Sequence, residues 1–313
     1  MRVQKALSGI IAGVKRKKGM GSYLYSFIVY VLLIDLAFIF LYPFLYMLVT
    51  SFKSYNDVLD TAVKWYPKEF HPQNWAVAFK SLDFFQNFKN SVLVTVLATA
   101  GHIASCSFIA YGFSRYKFPF SNFAFALVIV TITVPFQTIM VPQSILYSKM
   151  GWNGGHLPLI IPTFFGFGLR GGLFIFLFRQ YFIKIPAALE EAAYVDGCNP
   201  YKTFFKIILP SSGPVMLVCV VLSFVWHWND FSEPFLYITK PGKFLLPQAL
   251  PEMFSRLQSL EAASTEGEIL LRQTFHTGVV MAGTAIAILP LLILYLAVQN
   301  RFVESIDRTG LVE

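Results

Sequence analysis

Six stretches of this 313-residue chain, about 27–49, 91–112, 123–148, 157–178, 211–231 and 277–299, each run to twenty or more mostly apolar residues. A helix crosses the hydrocarbon core of a bilayer in roughly 20 residues, and inside lipid it can satisfy its backbone N–H and C=O groups by itself. The chain is therefore expected to be an all-α membrane protein with six transmembrane helices. Only 13% of its residues are charged, about half the share found in soluble domains and too few to cover a water-exposed fold of this length. The net charge of +8 would suggest nucleic acid in a soluble chain, but here it needs another cause. Cys106, Cys198 and Cys219 are scattered and odd in number, which argues against a disulfide framework or a cysteine-based metal cluster.

The basic residues account for the charge by setting orientation. With the N-terminus inside, the inner segments 1–26, 113–120, 179–210 and 301–313 hold 14 Lys and Arg against 6 Asp and Glu, whereas the outer segments, about 50–90, 149–156 and 232–276, hold 10 against 9. Cytoplasmic segments are the ones enriched in Lys and Arg. Residues 1–26 are thus expected to be a cytoplasmic N-terminus, 27–300 the transmembrane domain and 301–313 a cytoplasmic tail. The cluster Lys15-Arg16-Lys17-Lys18 contributes most, and it reads as a topology determinant or as a contact for lipid headgroups. The apolar patch Leu7 to Val14 before it has no small-residue cleavage site ahead of the next span, the pattern of an uncleaved signal anchor.

Two outer connections are long. Ser51 to Lys89 mixes Trp65, Pro67, Pro72 and Trp75 with charges, and 232–276 opens with Pro234, Pro241-Gly242, Pro247 and Pro251 before turning helix-favouring through Glu261 to Arg272. Both are large enough to meet a soluble partner.

The inner loop 183–210 carries the most information. Pro186 suits a first helical turn, and Glu190-Glu191 put negative charge near the positive end of the helix dipole. Gly197 can take the left-handed conformation that ends this helix, and Asn199-Pro200 supplies a cap and first-turn proline for the next. In that second helix Tyr201, Phe204, Phe205, Ile208 and Leu209 recur at helical spacing, Lys202 and Lys206 share another face, and Leu209-Pro210 closes it. The expected product is a helix–turn–helix along the membrane face, with one side against the spans and one free to dock a partner.

Glu191-Ala192-Ala193, three residues, Gly197, nine residues and then Ile207-x-Leu209-Pro210 match the EAA motif of binding-protein-dependent ABC importer permeases at every position. Further matches are Pro43-Phe44-Leu45, Thr50-Ser51-Phe52-Lys53, the run Ala110 to Arg115, Phe178-Arg179-Gln180, Trp228-Asn229-Asp230 and Met281-Ala282-Gly283. Together these resemble the second permease subunit of the carbohydrate-uptake branch, which serves maltose, oligosaccharides and glycerol phosphate. The segment from about Gln258 to Thr277 is more elaborate than that branch leads one to expect, and the tail from Arg301 to Glu313 follows its glycine-rich ending only loosely.

The resemblance implies a type I ABC importer permease fold in a prokaryotic inner or plasma membrane. It implies a second permease subunit, two cytoplasmic ATPase subunits, an extracytoplasmic solute-binding protein and a carbohydrate substrate. It also implies that Glu190, Glu191, Ala192, Ala193, Gly197, Ile207, Leu209 and Pro210 form the coupling element on the ATPase. Within it Ala192 and Ala193 permit close approach, Glu191 offers a carboxylate and Gly197 sets the turn. No GxxxxGK[ST] phosphate loop occurs, so the chain is expected to be no enzyme and to hold no cofactor, with ATP and magnesium on the partner ATPase.

Ionisable residues within spans are costly and usually face a cavity or a partner. Asp35 is read as an inter-subunit contact in preference to a substrate contact. Arg170, among Gly166, Gly168, Gly171 and Gly172, reads as path-lining or as part of a packing element. Trp228, Asn229 and Asp230 offer a ring face and polar groups suited to sugar, or else anchor the membrane interface. His71, His102, His156, His227 and His276 show no metal-ligand spacing, and only His227 is kept as a possible path residue. The rivals are a permease for phosphate, amino acids or peptides and an ion-coupled secondary transporter using Asp35 and Asp230.

Overall fold

The structure of the chain, a computed structural model, describes residues 20–62, 65–168, 170–240, 242–262 and 274–309, and every regular element among them is helical. In chain order these are α1 (Met20–Ser51), α2 (Tyr55–Leu59), α3 (Gln73–Ser81), α4 (Phe84–Arg115), α5 (Ser121–Thr133), α6 (Phe136–Lys149) and α7 (Leu157–Ile160). There follow α8 (Gly171–Lys184), α9 (Ala188–Val195), α10 (Pro200–Ser211), α11 (Gly213–Asn229), α12 (Ser232–Tyr237), α13 (Leu246–Ala262) and α14 (Thr277–Thr309). Helices α1, α4 and α14 are each long and apolar enough to cross a bilayer, and the pairs α5–α6, α8–α9 and α10–α11 bring the number of candidate crossings to six if each bent pair is one span.

Two of the expected spans are not single helices. The stretch 123–148 is bent by 101° between α5 and α6. Val134 is already extended (ψ 118°) because Pro135 follows it, and Pro135 itself has no N–H to give to the preceding turn. The stretch 157–178 breaks after α7 and a 3-10 turn, Ile161–Phe165. Gly166 (φ 71°), Gly168 (φ 110°) and Arg170 (φ 62°) then leave the right-handed region before α8 begins. Helix α8 runs on to Lys184, so the inner connection starts at Ile185. At the C-terminus the residues expected as a tail continue α14 as far as Thr309. The Lys15 to Lys18 cluster, Pro241, most of the 258–277 segment and the last four residues lie outside the described residues.

The chain divides into two compact units. The first comprises residues 1–84 with 249–300. In it Asn74 Nδ2 donates to the carbonyls of Ser51 (2.9 Å) and Lys53 (2.8 Å), and the Asp57 carboxylate accepts from the N–H of Lys68 (2.9 Å) and Glu69 (3.3 Å). A Cβ on Gly278 would press on the Thr50 carbonyl and on Asn74, so the connection after α1 sits tightly over the start of α14.

The second unit comprises residues 85–248 with 301–313. Phe174, Phe178 and Phe182 of α8 pack with Cys106 and Tyr111 of α4, Phe204 and Ile208 of α10 and Cys219 of α11. In lipid, helix association rests on such packing and on small residues that allow close approach. Gly101 fits against Thr163 and Phe164, and Gly172 against Thr131 and the Val128 carbonyl, with no room for a Cβ at either. Ser105 Oγ ties the break in the fourth span to α4 by donating to the Thr163 carbonyl (2.6 Å) and accepting from the Gly166 N–H (3.1 Å).

Candidate functional site

The connection 185–212 is built as two short helices whose ends are satisfied locally. Helix α9 closes with Gly197 left-handed (φ 77°), the Cys198 N–H reaching the Ala193 carbonyl (2.9 Å) and the Gly197 N–H the Tyr194 carbonyl (3.0 Å), which is the Schellman arrangement. Asn199 Oδ1 then accepts from the Lys202 N–H (2.8 Å) and caps α10, with Pro200 in its first turn. Glu190 and Ala193 face inward and are buried, while Leu189, Glu191, Ala192 and Val195 are exposed, Val195 to 88%. The loop residues expected to act together therefore fall on two sides. Glu190 pairs through Oε1 with Arg115 Nε of α4 at 2.6 Å, and Arg115 Nη2 donates to the Ile185 carbonyl at 2.8 Å.

Helix α10 departs from the regular period. Phe204–Ile208 is π-helical, which admits an extra residue per turn. Phe204 and Ile208 are buried, Ile207 and Leu209 half-buried, and Tyr201, Phe205 and Pro210 exposed, so the five recurring apolar residues are covered to different extents, although Tyr201, Phe204, Phe205 and Leu209 border one groove. Tyr201 and Phe205 join Phe108 of α4, Phe164 and Phe224 of α11 in lining an apolar groove of about 870 Å³. The helix continues past Pro210 to Ser211 and meets α11 at a 78° bend.

At the far end of α11 the three neighbours Trp228, Asn229 and Asp230 have different surroundings. Trp228 is buried, stacked on Phe224 (centroids 5.8 Å apart, planes 10° apart) and edge-on to Phe88. Asn229 is exposed. Asp230 Oδ1 accepts from the N–H of Ser232 (3.1 Å) and of Glu233 (3.4 Å), which caps α12. Glu233 itself is buried, and burial together with the nearby Asp230 carboxylate pushes its carboxyl up to about 8. Close by, Tyr147 and Tyr237 meet edge to face at 5.2 Å, and Gln143 donates to the Tyr147 hydroxyl at 2.6 Å. Sequence reasoning missed Glu233, although its spacing three residues after Asp230 is that of a capping box.

Arg170 is exposed at the break before α8, its guanidinium 4.6 Å over the Trp226 ring. Asp35 is exposed midway along α1, whose most apolar stretch has no residue buried within the chain. His227 pairs with His102 of α4, Nε2 to Nδ1 at 3.3 Å, and Ser223 Oγ lies 3.4 Å from the same Nδ1. No spacing in the sequence could reveal that pair, since 125 residues separate its members. Among the described residues no group of three or more His, Cys, Asp or Glu side chains is placed to hold a metal ion.

Residues 103–308, well over half of the chain, match the family model described as binding-protein-dependent transport system inner membrane component. The chain is 30% identical over 293 residues to the "Probable starch degradation products transport system permease protein AmyC" of Thermoanaerobacterium thermosulfurigenes, covering 93% of this chain and 97% of that one. It is 27% identical over 278 residues to the arabinooligosaccharides transport system permease protein AraQ of Halalkalibacterium halodurans, covering 88% and 92%. Its fold is similar to that in the crystal structure of a bacterial ABC transporter involved in the import of the acidic polysaccharide alginate, with a TM-score of 0.77 at 21% identity over 91% of this chain and 99% of that one. A multi-pass helical chain with a capped helix pair between its fourth and fifth spans and this family match belongs to the binding-protein-dependent transport system inner membrane components, the permease subunits of ABC importers.

Proposed function

We propose that the chain is one permease half of an ATP-driven importer whose solute is a carbohydrate, and that α9 is the seat of a cytoplasmic ATPase. The chain is a transport subunit and not an enzyme, so ATP and magnesium belong to the partner. The observation that carries the docking reading is the two-sidedness of α9. Its inner side is fixed by the Arg115–Glu190 pair, while Leu189, Ala192 and Val195, with the carboxylate of Glu191, are exposed on a face directed away from the bundle. The carbohydrate reading is supported by the solutes in the names of AmyC and AraQ. The excess of Lys and Arg on the segments sharing a side with this loop supports a cytoplasmic position for it. A second permease fits the exposed first span with Asp35, and a solute-binding protein fits the long connections on the opposite side.

The test is co-purification of the tagged chain with its ATPase, followed by ATP-dependent uptake of maltotriose, arabinotriose and lactose in proteoliposomes. Val195→Asp puts a charge on the free face and leaves the packed face alone, so it is expected to abolish ATPase association with insertion intact. Uptake of any of these sugars by the chain without an ATPase sinks the proposal.

A further inference from the structure

Arg115, the last residue of α4, lies outside the EAA loop yet touches it twice. Its Nε meets Glu190 Oε1 at 2.6 Å, and its Nη2 donates to the Ile185 carbonyl at 2.8 Å. Ile185 is the residue that ends α8, and Glu190 lies in the first turn of α9, so one planar cation reaches both sides of the 78° bend between those helices. The charges suit each position. A cation at the end of α8 answers the negative pole of its dipole, and the fixed fork of guanidinium donors holds two acceptors where an ammonium would hold one in a defined direction. Both side chains are largely withdrawn from solvent, at 14% and 8% exposure. One turn earlier, Tyr111 is buried against Phe182 of α8 and Phe204 of α10, with centroids 6.4 and 5.1 Å away. Arg179 of α8 adds a second tie, its Nε donating to the Phe113 carbonyl at 3.4 Å.

From this geometry we infer that Arg115 is a positioning residue that braces the α8–α9 corner against the end of α4, so that a displacement of α9 carries the second span with it. The brace acts beside the packing of Tyr111 on Phe182 and the Arg179–Phe113 tie, which hold α8 to α4 but do not reach across the bend to α9. The inference rests on reading α9 as the ATPase seat. It adds that motion leaves α9 for the second span as well, by the guanidinium to α4, beside its covalent connections to α8 and α10.

The experiment uses the complete complex in lipid nanodiscs, with nitroxide labels at Phe85→Cys and at Asp196→Cys, which is exposed and outside the docking face, in a Cys198→Ser background. The distance distribution between labels is measured by electron–electron resonance without nucleotide and after trapping with ATP and vanadate. With Arg115 present, one narrow distribution is expected in both states. Arg115→Ala is expected to broaden or split it while the ATPase still co-purifies, and so is Arg115→Met, which keeps the packed stem without the guanidinium. A loss of packing alone would leave Arg115→Met narrow. An unchanged width in Arg115→Ala overturns the brace. Should that variant fail to assemble, Arg115→Lys decides, since it keeps the charge and loses the two-pronged grip: a broader distribution supports the brace and an unchanged one overturns it. Loss of the docking reading shows up separately, as an ATPase that stays bound to Val195→Asp.

Discussion

Single glycines decide how close the helices of the second unit come. A Cβ on Gly171 would run into the Gly166 carbonyl, a backbone atom that cannot turn away, whereas a Cβ on Gly112 would meet nothing within 4 Å. Gly171→Ala is therefore expected to destabilise the chain by about 1–3 kcal/mol through overpacking. Gly112→Ala should stabilise it by about 0.5–1 kcal/mol, because it sits inside α4 where alanine is the better helix former. Thermal unfolding in detergent compares the two, and equal effects would remove the close approach at the fourth-span break. The buried Arg115–Glu190 pair belongs to the same scale: removing one partner strands a charge, and such losses cost about 3–5 kcal/mol in other buried pairs.

At the scale of an element, α12 shows how a capping carboxylate and a buried one depend on each other. Asp230 holds the first N–H groups of α12, and Glu233 is buried one turn along. The ordinary value of Glu233 is 4.5 and in the fold it lies at about 8, so the folded state holds a proton that the unfolded chain has released. Its contribution is fully present below about 4.5 and is lost as pH rises from there through 8. Glu233→Gln keeps the shape without the charge and is expected to flatten that slope and to raise stability at pH 7. Thermal unfolding followed from pH 5 to pH 9 checks it, and parallel curves for the two proteins would show that Glu233 is ionised in the fold. Asp230 is drawn into the same element as a cap, which gives its carboxylate a local task before any contact with sugar is considered.

For the whole molecule the orientation is open to a direct test. Phe70 and Lys202 are both exposed, and they lie in connections assigned to opposite sides of the membrane. In a Cys198→Ser background, Phe70→Cys is expected to react with an impermeant maleimide in intact cells, and Lys202→Cys only after permeabilisation. The reverse pattern would invert the topology. Much of the helical organisation was legible beforehand, because an apolar run of bilayer length has few options, and α1, α4, α11 and α14 contain or closely follow four of the expected stretches. The fourth stretch was counted as one span although Gly166, Gly168, Gly171 and Gly172 were read as able to pack closely or to break a helix; which of the two they do shows in the dihedral angles. The loop's turn chemistry at Gly197 and Asn199 was readable, being local. The π-helical stretch at Phe204–Ile208 was not, since it shifts a period that any sequence reading has to assume.

The sequence by itself determined the class of the molecule, its helices and the EAA spacing, because bilayer thickness, backbone satisfaction and capping each act on contiguous residues. Only the tertiary structure decided which member of an adjacent pair works inward. It put Glu190 on Arg115 and left Glu191 free, buried Trp228 beside an exposed Asn229, and joined His102 to His227. Those outcomes depend on where other helices lie, and a side chain 75 or 125 residues away leaves no periodic trace in the segment it meets.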